Sequence, residues 1–268
     1  MRAASDVTRQ ITVISSAVFA IIGSFVGSGA AGGTPVQDAS GGALAADASL
    51  IAPATPAFSV WSVIYLGLIA YAVWQALPAQ TTAARHRRLG YWIAASLVLN
   101  AAWILCVQFD LLGLTVPIIV VLLAVLIQTF RQAIQSPPVS MWDAALTDVP
   151  IGLYLGWVCV ATAANVTAVL TAAGFDGWGI PGEVWAIIVI AVAAAAGVAL
   201  ALVSRGRIAP ALTLAWGLSW LAVGRLTGEP YSVATGVAAI LAAAVVLGVA
   251  LILRIQRERT RTEHPAAA

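Results

Sequence analysis

Apolar and polar positions fall in long blocks along this chain, with eight apolar runs separated by short polar breaks. The runs lie near residues 11-30, 58-77, 89-109, 112-135, 149-171, 184-204, 208-224 and 232-253. A helix needs about 20 apolar residues to cross a hydrocarbon core of about 30 Å, and each run reaches or approaches that length. The seventh run is the shortest, and the third and fourth are parted only by a tight turn around Asp110 and Gly113. No run shows the strict alternation of a barrel strand. Backbone groups in lipid must be satisfied within their own segment, so the predicted elements are helices. The expected fold class is an all-α integral membrane protein with eight transmembrane helices.

Composition agrees with that pattern and removes the alternatives. Of 268 residues, 61% are hydrophobic and 9% charged, and the mean hydropathy is +0.97. Globular proteins average roughly 45–50% apolar and about 25% charged. Too few polar side chains are present to solvate a water-soluble domain, so soluble enzymes, disordered chains and disulfide scaffolds are excluded. All 13 basic residues are Arg, and a net charge of +2 gives no electrostatic footprint for nucleic acid. Cys106 and Cys159 sit inside apolar runs, where a thiol behaves as a small hydrophobe and gives no guide to redox compartment or metal binding.

Charge also predicts orientation, because basic residues accumulate in cytoplasmic loops. With the N-terminus placed inside, Arg2, Arg9, Arg85, Arg87, Arg88, Arg131, Arg205, Arg207 and the tail Arg254, Arg257, Arg259 and Arg261 all fall on the cytoplasmic side. Only Arg225 falls outside, and both termini are expected in the cytoplasm. An alternative for the first run is a cleaved signal peptide ending in the small residues Gly27 to Ala31. Its spanning length favours an uncleaved helix, and Gly23 and Gly27, with Ser24 and Ser28, form a small-residue face suited to close helix packing.

Two features divide the chain. Residues 31-57, rich in Gly, Ala, Pro and Ser, form one long extracytoplasmic loop that reads as a lid or binding loop, with flexible linker as the alternative. Composition shifts after about residue 175, where Trp, Tyr, Phe and Asn give way to runs of Ala, Val, Leu and Ile. The expected organisation is a five-helix ligand-binding bundle over residues 1-175 and a three-helix membrane extension with a basic tail over residues 176-268.

Aromatic and amide groups lie in stripes on three of the predicted helices. Phe58, Trp61, Tyr65 and Leu68 share one face of the second, Asn100 and Trp103 are three apart on the third, and Tyr154, Trp157, Ala161 and Asn165 stripe the fifth. An amide in hydrocarbon needs a partner, so Asn100 and Asn165 face protein or ligand; helix-to-helix bonding is the alternative for each. Trp74, Trp142, Trp178 and Trp185 lie near helix ends, where an interfacial belt accounts for them. Trp61, Trp103 and Trp157 instead suggest a pocket for a planar, largely apolar molecule, with indole N–H groups as fixed donors.

Catalytic candidates are scarce. His86 and His264 fall in cytoplasmic stretches, which leaves no intramembrane His for a metal or haem, and no helix interior is expected to hold Asp, Glu, Lys or Arg. Asp143 and Asp148 read as solvated or capping residues of a cytoplasmic loop, and the Gly-rich stretch 27-33 follows no strand that would support a phosphate loop.

Several of these segments are recognisable. Ile22-Gly23-Ser24-Phe25-Val26-Gly27-Ser28, Trp61-x-x-x-Tyr65, Leu97-x-Leu99-Asn100-x-x-Trp103 and Tyr154-Leu155-Gly156-Trp157-x-x-x-Ala161-Thr162-x-x-Asn165 resemble helices one, two, three and five of the translocator protein family, also called tryptophan-rich sensory proteins (TspO/MBR). The likeness covers about residues 11-170 and leaves the last three helices outside. It implies a five-helix bundle that binds porphyrins, sterol-like lipids or aromatic ligands under a cap formed by the loop between helices one and two. Carried over by position, Trp61 and Trp157 would be pocket indoles, Tyr65 and Asn100 pocket walls, and Ala161 the small residue that admits a flat ligand. The chain departs from the family at Val116-Pro117-Ile118, where an acidic residue is often found, and at Leu153, where Pro commonly precedes Tyr. No Tyr-to-basic pattern follows Asn165, which argues against cholesterol.

The functional expectation is a receptor or carrier in a bacterial-type inner membrane that binds a porphyrin or similar planar hydrophobe, in transport or sensing. Its ligand site would comprise Phe58, Trp61, Tyr65, Asn100, Trp103, Tyr154, Trp157, Ala161 and Asn165. No cofactor is required, with a tetrapyrrole as the candidate ligand; the expected partners are that ligand and membrane lipid, no nucleic acid is expected, and a homodimer contact is left open. The alternatives are a porphyrin-degrading photo-oxidative enzyme, and a small-solute permease or helical scaffold with no specific pocket.

Overall fold

The computed structural model describes residues 4–30 and 32–263. Arg2, Ala31 and His264 of the sequence reading lie outside the described residues. Among the described residues, eight long helices follow in order: α1 (Ala4–Gly27), α2 (Val60–Ala76), α3 (Ala84–Gln108), α4 (Leu112–Gln135), α5 (Met141–Ala172), α6 (Gly182–Val203), α7 (Ile208–Thr227) and α8 (Val233–Glu263). A 3-10 segment, Thr55–Ser59, leads into α2, and a π-helical stretch, Ala144–Asp148, lies in the first turns of α5.

Seven of the eight helices are long and apolar enough to cross a membrane, and the chain is an all-α integral membrane protein. The exception is α7, which carries Thr213, Trp216, Ser219, Trp220 and Arg225 in only 20 residues. It packs against α5, α6 and α8, and Leu214, Leu218 and Leu221 are fully enclosed. A helix walled by other helices meets little lipid, so it needs less apolar surface than one at the periphery.

Packing proceeds from α1 to α3, α3 to α4 and α4 to α5; from α5 it passes to α7, then α8, then α6. Two cores result. Ile64, Leu68, Leu97, Leu126, Leu155 and Trp157 belong to the first, and Val160, Leu214, Leu218 and Val246 to the second. Helix α5 contributes to both, one face to each. Close approach is achieved with small residues, because association in lipid depends on packing rather than on water exclusion. A Cβ on Gly27 of α1 would lie 2.7 Å from the Ile104 side chain of α3, and one on Gly156 of α5 would lie 2.0 Å from the Pro210 carbonyl oxygen of α7.

Several helices run beyond their apolar windows and take charges with them, which corrects the sequence reading. Arg9 lies within α1 and is buried. Arg85 and His86 are buried in the first turn of α3, not in a stretch outside the helices. Asp143 is buried at the start of α5, and Arg225 is enclosed in the last turn of α7. Apolar windows locate the hydrocarbon-matched middle of a helix; they are blind to flanking turns whose charges are paired inside the protein. The turn between α3 and α4 falls where expected, with Asp110 in the left-handed region at φ 57°, a conformation Asp tolerates better than most residues.

Candidate ligand cavity

A cavity of about 460 Å³ lies between the C-terminal ends of α1 and α3 and the N-terminal end of α2. Val36, Gln37 and Thr55 of the long loop close over it, α1 supplies Ile21, Ser24 and Phe25, and Ser28 follows just after the helix. Five of the nine sequence-predicted site residues line it: Phe58, Trp61 and Tyr65 from the second span, and Asn100 and Trp103 from the third. Their placement follows from helical spacing, since steps of three and four residues bring side chains onto one face.

Polar groups on the wall are ordered by one another. Asn100 Nδ2 donates to the Tyr65 hydroxyl at 2.6 Å, and Ser24 of α1 lines the same cavity. The phenol and the amide thus join the second and third spans. Trp103 Nε1 donates to Asn165 Oδ1 at 2.5 Å, while Asn165 Nδ2 donates to Thr115 Oγ1 at 2.8 Å. Both ends of the Asn165 amide are therefore engaged in joining α3, α4 and α5, and Asn165 does not line the cavity.

The fifth span stands behind the cavity wall. Trp61 packs on Tyr65, Tyr154 and Trp157 with ring centroids 5.4, 5.7 and 6.2 Å apart, and Phe58 meets Trp157 edge-on at 5.9 Å. Such arrangements match the negative face of one ring with the positive edge of another. Tyr154 donates from its hydroxyl to the Ser96 carbonyl at 3.2 Å. Tyr154 and Trp157 are buried, Ala161 packs against the first core, and none of the three lines the cavity. The buried indole N–H of Trp157 has no hydrogen-bond partner.

Sequence reasoning missed the α1 contribution, having assigned Ser24 and Ser28 to helix packing. Gly23 makes that packing, with its Cβ position 3.4 Å from Ala101, while Ser24 and Ser28 turn to the cavity. The one-residue offset between a packing stripe and a lining stripe was the available signal. Trp74 is also not explained by a membrane belt, since its indole nitrogen is buried without a partner.

Asp143 and Asp148, expected to be solvated or to cap a helix, form an ionic bracket. Arg85 Nη1 lies 2.7 Å from Asp143 Oδ1 and its Nη2 contacts Asp148. Arg207 Nη1 lies 3.0 Å from the same Asp148 oxygen. The helix is capped by Ser140, whose Oγ accepts from the Asp143 N–H at 3.0 Å, while the Asp143 carboxylate accepts from Thr147 Oγ1 at 3.0 Å and from the Val139 N–H at 3.2 Å. The π-helical turn lets residues five apart converge on one guanidinium, and such turns recur at special positions in helices.

A second, larger opening of about 920 Å³ runs between α5 and α6. Its walls are mainly apolar, including Val166, Leu170, Val189 and Val192. Two of its hydroxyls bond back to their own helix, Thr162 to Val158 and Thr167 to Ala163. The capped cavity differs in having polar groups from several helices gathered on an aromatic wall.

No curated protein and no solved structure matches this chain. One family model, described as TSPO-like protein, matches residues 12–253. That span begins in α1 and ends in α8, so the last three helices fall inside the match and not beyond it, as the shorter resemblance had implied. With the aromatic and amide stripes in place on three spans and the match extending over nearly the whole chain, the protein belongs to the TSPO-like protein family.

Proposed function

We propose that the α1–α2–α3 cavity binds a planar, largely apolar molecule with a polar edge, of the porphyrin or tetrapyrrole class, and that the protein carries or senses this ligand. The observation that supports the reading is the gathering of Phe58, Trp61, Tyr65, Asn100 and Trp103 around one capped space of about 460 Å³. That volume lies within the range of about 300–1,000 Å³ typical of small-molecule pockets, which combine apolar walls with a few placed polar groups. Aromatic faces offer flat contact area, and the Tyr65, Asn100 and Ser24 group offers hydrogen bonds to a polar edge. Among the described residues, the lining includes no Asp, Glu, His, Lys or Arg; the described wall offers no charged acid–base pair, which favours binding over hydrolytic or proton-transfer chemistry.

The setting we propose is a bacterial inner membrane with both termini in the cytoplasm, supported by the one-sided distribution of Arg in the sequence. The cavity then sits toward the extracytoplasmic side, beneath the 31-57 loop.

Quenching of tryptophan fluorescence by protoporphyrin IX, measured on the full chain in detergent, tests the proposal. Saturable quenching is expected, and Trp61→Ala weakens the apparent affinity by about tenfold, a loss of about 1.4 kcal/mol. Trp178→Ala, at an exposed indole outside the cavity, leaves affinity unchanged. Non-saturable quenching, or equal affinity in wild type and Trp61→Ala, contradicts it.

A further inference from the structure

The groove of about 920 Å³ between α5 and α6 ends at a group of aromatic side chains. Phe175 and Trp178 come from the connection between the two helices, and Trp185 from the first turn of α6. Their rings meet edge-on, with centroids 5.2, 5.8 and 6.2 Å apart. The backbone adopts an unusual shape to place them. Trp178 sits at φ 55° between Gly177 at 70° and Gly179 at 76°, in the left-handed region that a bulky residue rarely enters. Two bonds fix this turn: Asp176 Oδ1 accepts from the Trp178 N–H at 2.9 Å, and Trp185 Nε1 donates to the Gly177 carbonyl at 3.0 Å. Such outliers persist where surrounding contacts over-determine them, and ligand clamps are among those places. An interfacial belt accounts for indoles near helix ends, but not for a braced turn beside a carboxylate.

Charge at this mouth has one sign. Among the described residues, Asp176 is the one charged side chain on the lining, and it forms no ion pair. The helix ends and connections on this side of the bundle carry Asp38, Asp47, Asp110, Asp176, Glu183 and Glu229 against Arg225 alone, and Arg225 is enclosed against backbone carbonyls of the capping loop. Trp178 is 76% exposed, and a cation within about 6 Å of an indole face is attracted by the ring quadrupole. Beyond the mouth, Val166, Leu170, Val189 and Val192 line an apolar trough that follows α6 from Trp185 to Ala196, about 16 Å of helix.

We propose that the groove binds a lipophilic organic cation, a quaternary or protonated amine carrying an aliphatic chain, with the head against Asp176 and Trp178 and the chain along the trough. The carboxylate and the aromatic rings select the head, and the apolar trough selects the chain. A phospholipid is disfavoured, because no Arg among the described residues lines the groove to receive its phosphate and Asp176 repels it. The same repulsion acts on the carboxylates of protoporphyrin IX, so the groove and the capped cavity, which share no lining residue, take different ligands.

Equilibrium binding of radiolabelled dodecyltrimethylammonium to the full chain in neutral detergent, below the concentration at which the amphiphile forms its own micelles, tests this. Saturable binding is expected, displaced by unlabelled alkylammonium of similar chain length. Tetramethylammonium, which lacks the chain, does not displace it, and neither do dodecyl sulfate and dodecylphosphocholine. Asp176→Asn keeps an oxygen to accept the Trp178 N–H while removing the charge, and weakens binding by about fivefold. Trp178→Ala weakens it by about threefold. Glu229→Gln, at an exposed carboxylate on the same side but off the lining, leaves it unchanged. Non-saturable uptake, or equal affinity in wild type and Asp176→Asn, overturns the proposal. So does equal displacement by dodecylphosphocholine, which assigns the groove to a zwitterionic lipid, or by dodecyl sulfate, which shows that only the chain is read.

Discussion

Tyr65 shows how a single residue joins stability to the cavity. Its hydroxyl accepts from Asn100 at 2.6 Å, and Asn100 is itself buried. Tyr65→Phe keeps the ring but leaves an amide donor without that acceptor, a loss of about 1–3 kcal/mol when the donor stays desolvated. The expected result is a lower thermal midpoint in detergent, with part of it restored in the Tyr65→Phe/Asn100→Leu double variant, where both polar partners are gone. Which residues sit on a common stripe was legible in the sequence, because helical periodicity decides it. Which neighbour each stripe faces was not. Asn100 and Asn165 look alike in sequence, yet one lies on the cavity wall and the other has both amide ends taken up by Trp103 and Thr115. That difference depends on the rotation of α3 and α5 about their axes, which packing of the whole bundle determines.

At the level of the helix, close packing between α5 and α7 decides how the two cores join. Gly156→Ala places a methyl group where the Pro210 carbonyl and the Thr213 hydroxyl already lie, at 2.0 and 2.4 Å. Overpacking of this kind costs typically about 1–3 kcal/mol, and the backbone carbonyl cannot give way as a flexible side chain would. Gly113→Ala near the start of α4 meets nothing within 4 Å and should be neutral or gain up to about 1 kcal/mol from helix propensity. Thermal midpoints of the two variants, measured side by side, check the contrast. Existence of the helices was legible from apolar run length alone. Their ends were not, because Arg85, Asp143 and Asp148 satisfy one another across helices and so remain inside the structure where single-segment reasoning expects solvent.

For the whole molecule, α7 has a structural task that composition did not disclose: it holds the loop that caps the cavity. Trp216 Nε1 of α7 donates to the Ala57 carbonyl at 2.9 Å, and the Ala54 N–H donates to the Trp220 carbonyl at 3.1 Å. Arg225 donates to the carbonyls of Ser49 at 3.0 Å and Ala46 at 2.6 Å. The sequence placed Arg225 alone on its side of the membrane; in the fold its charge is buried against backbone oxygens of the capping loop. Hydrogen bonds to charged groups contribute about 1.5–3 kcal/mol each, so Arg225→Gln is expected to loosen residues 46-49. Limited proteolysis should cut there faster, and porphyrin affinity should fall although no cavity residue has changed. The central claim is that ligand occupies the capped cavity and not the larger groove between α5 and α6. In a Cys106→Ala background, maleimide labelling of Ser24→Cys reports on the cavity, and native Cys159 reports on the groove it lines. Protoporphyrin IX at ten times its Kd is predicted to slow labelling at position 24 by about tenfold and to leave Cys159 unaffected; protection of Cys159 with position 24 still reactive would contradict the account.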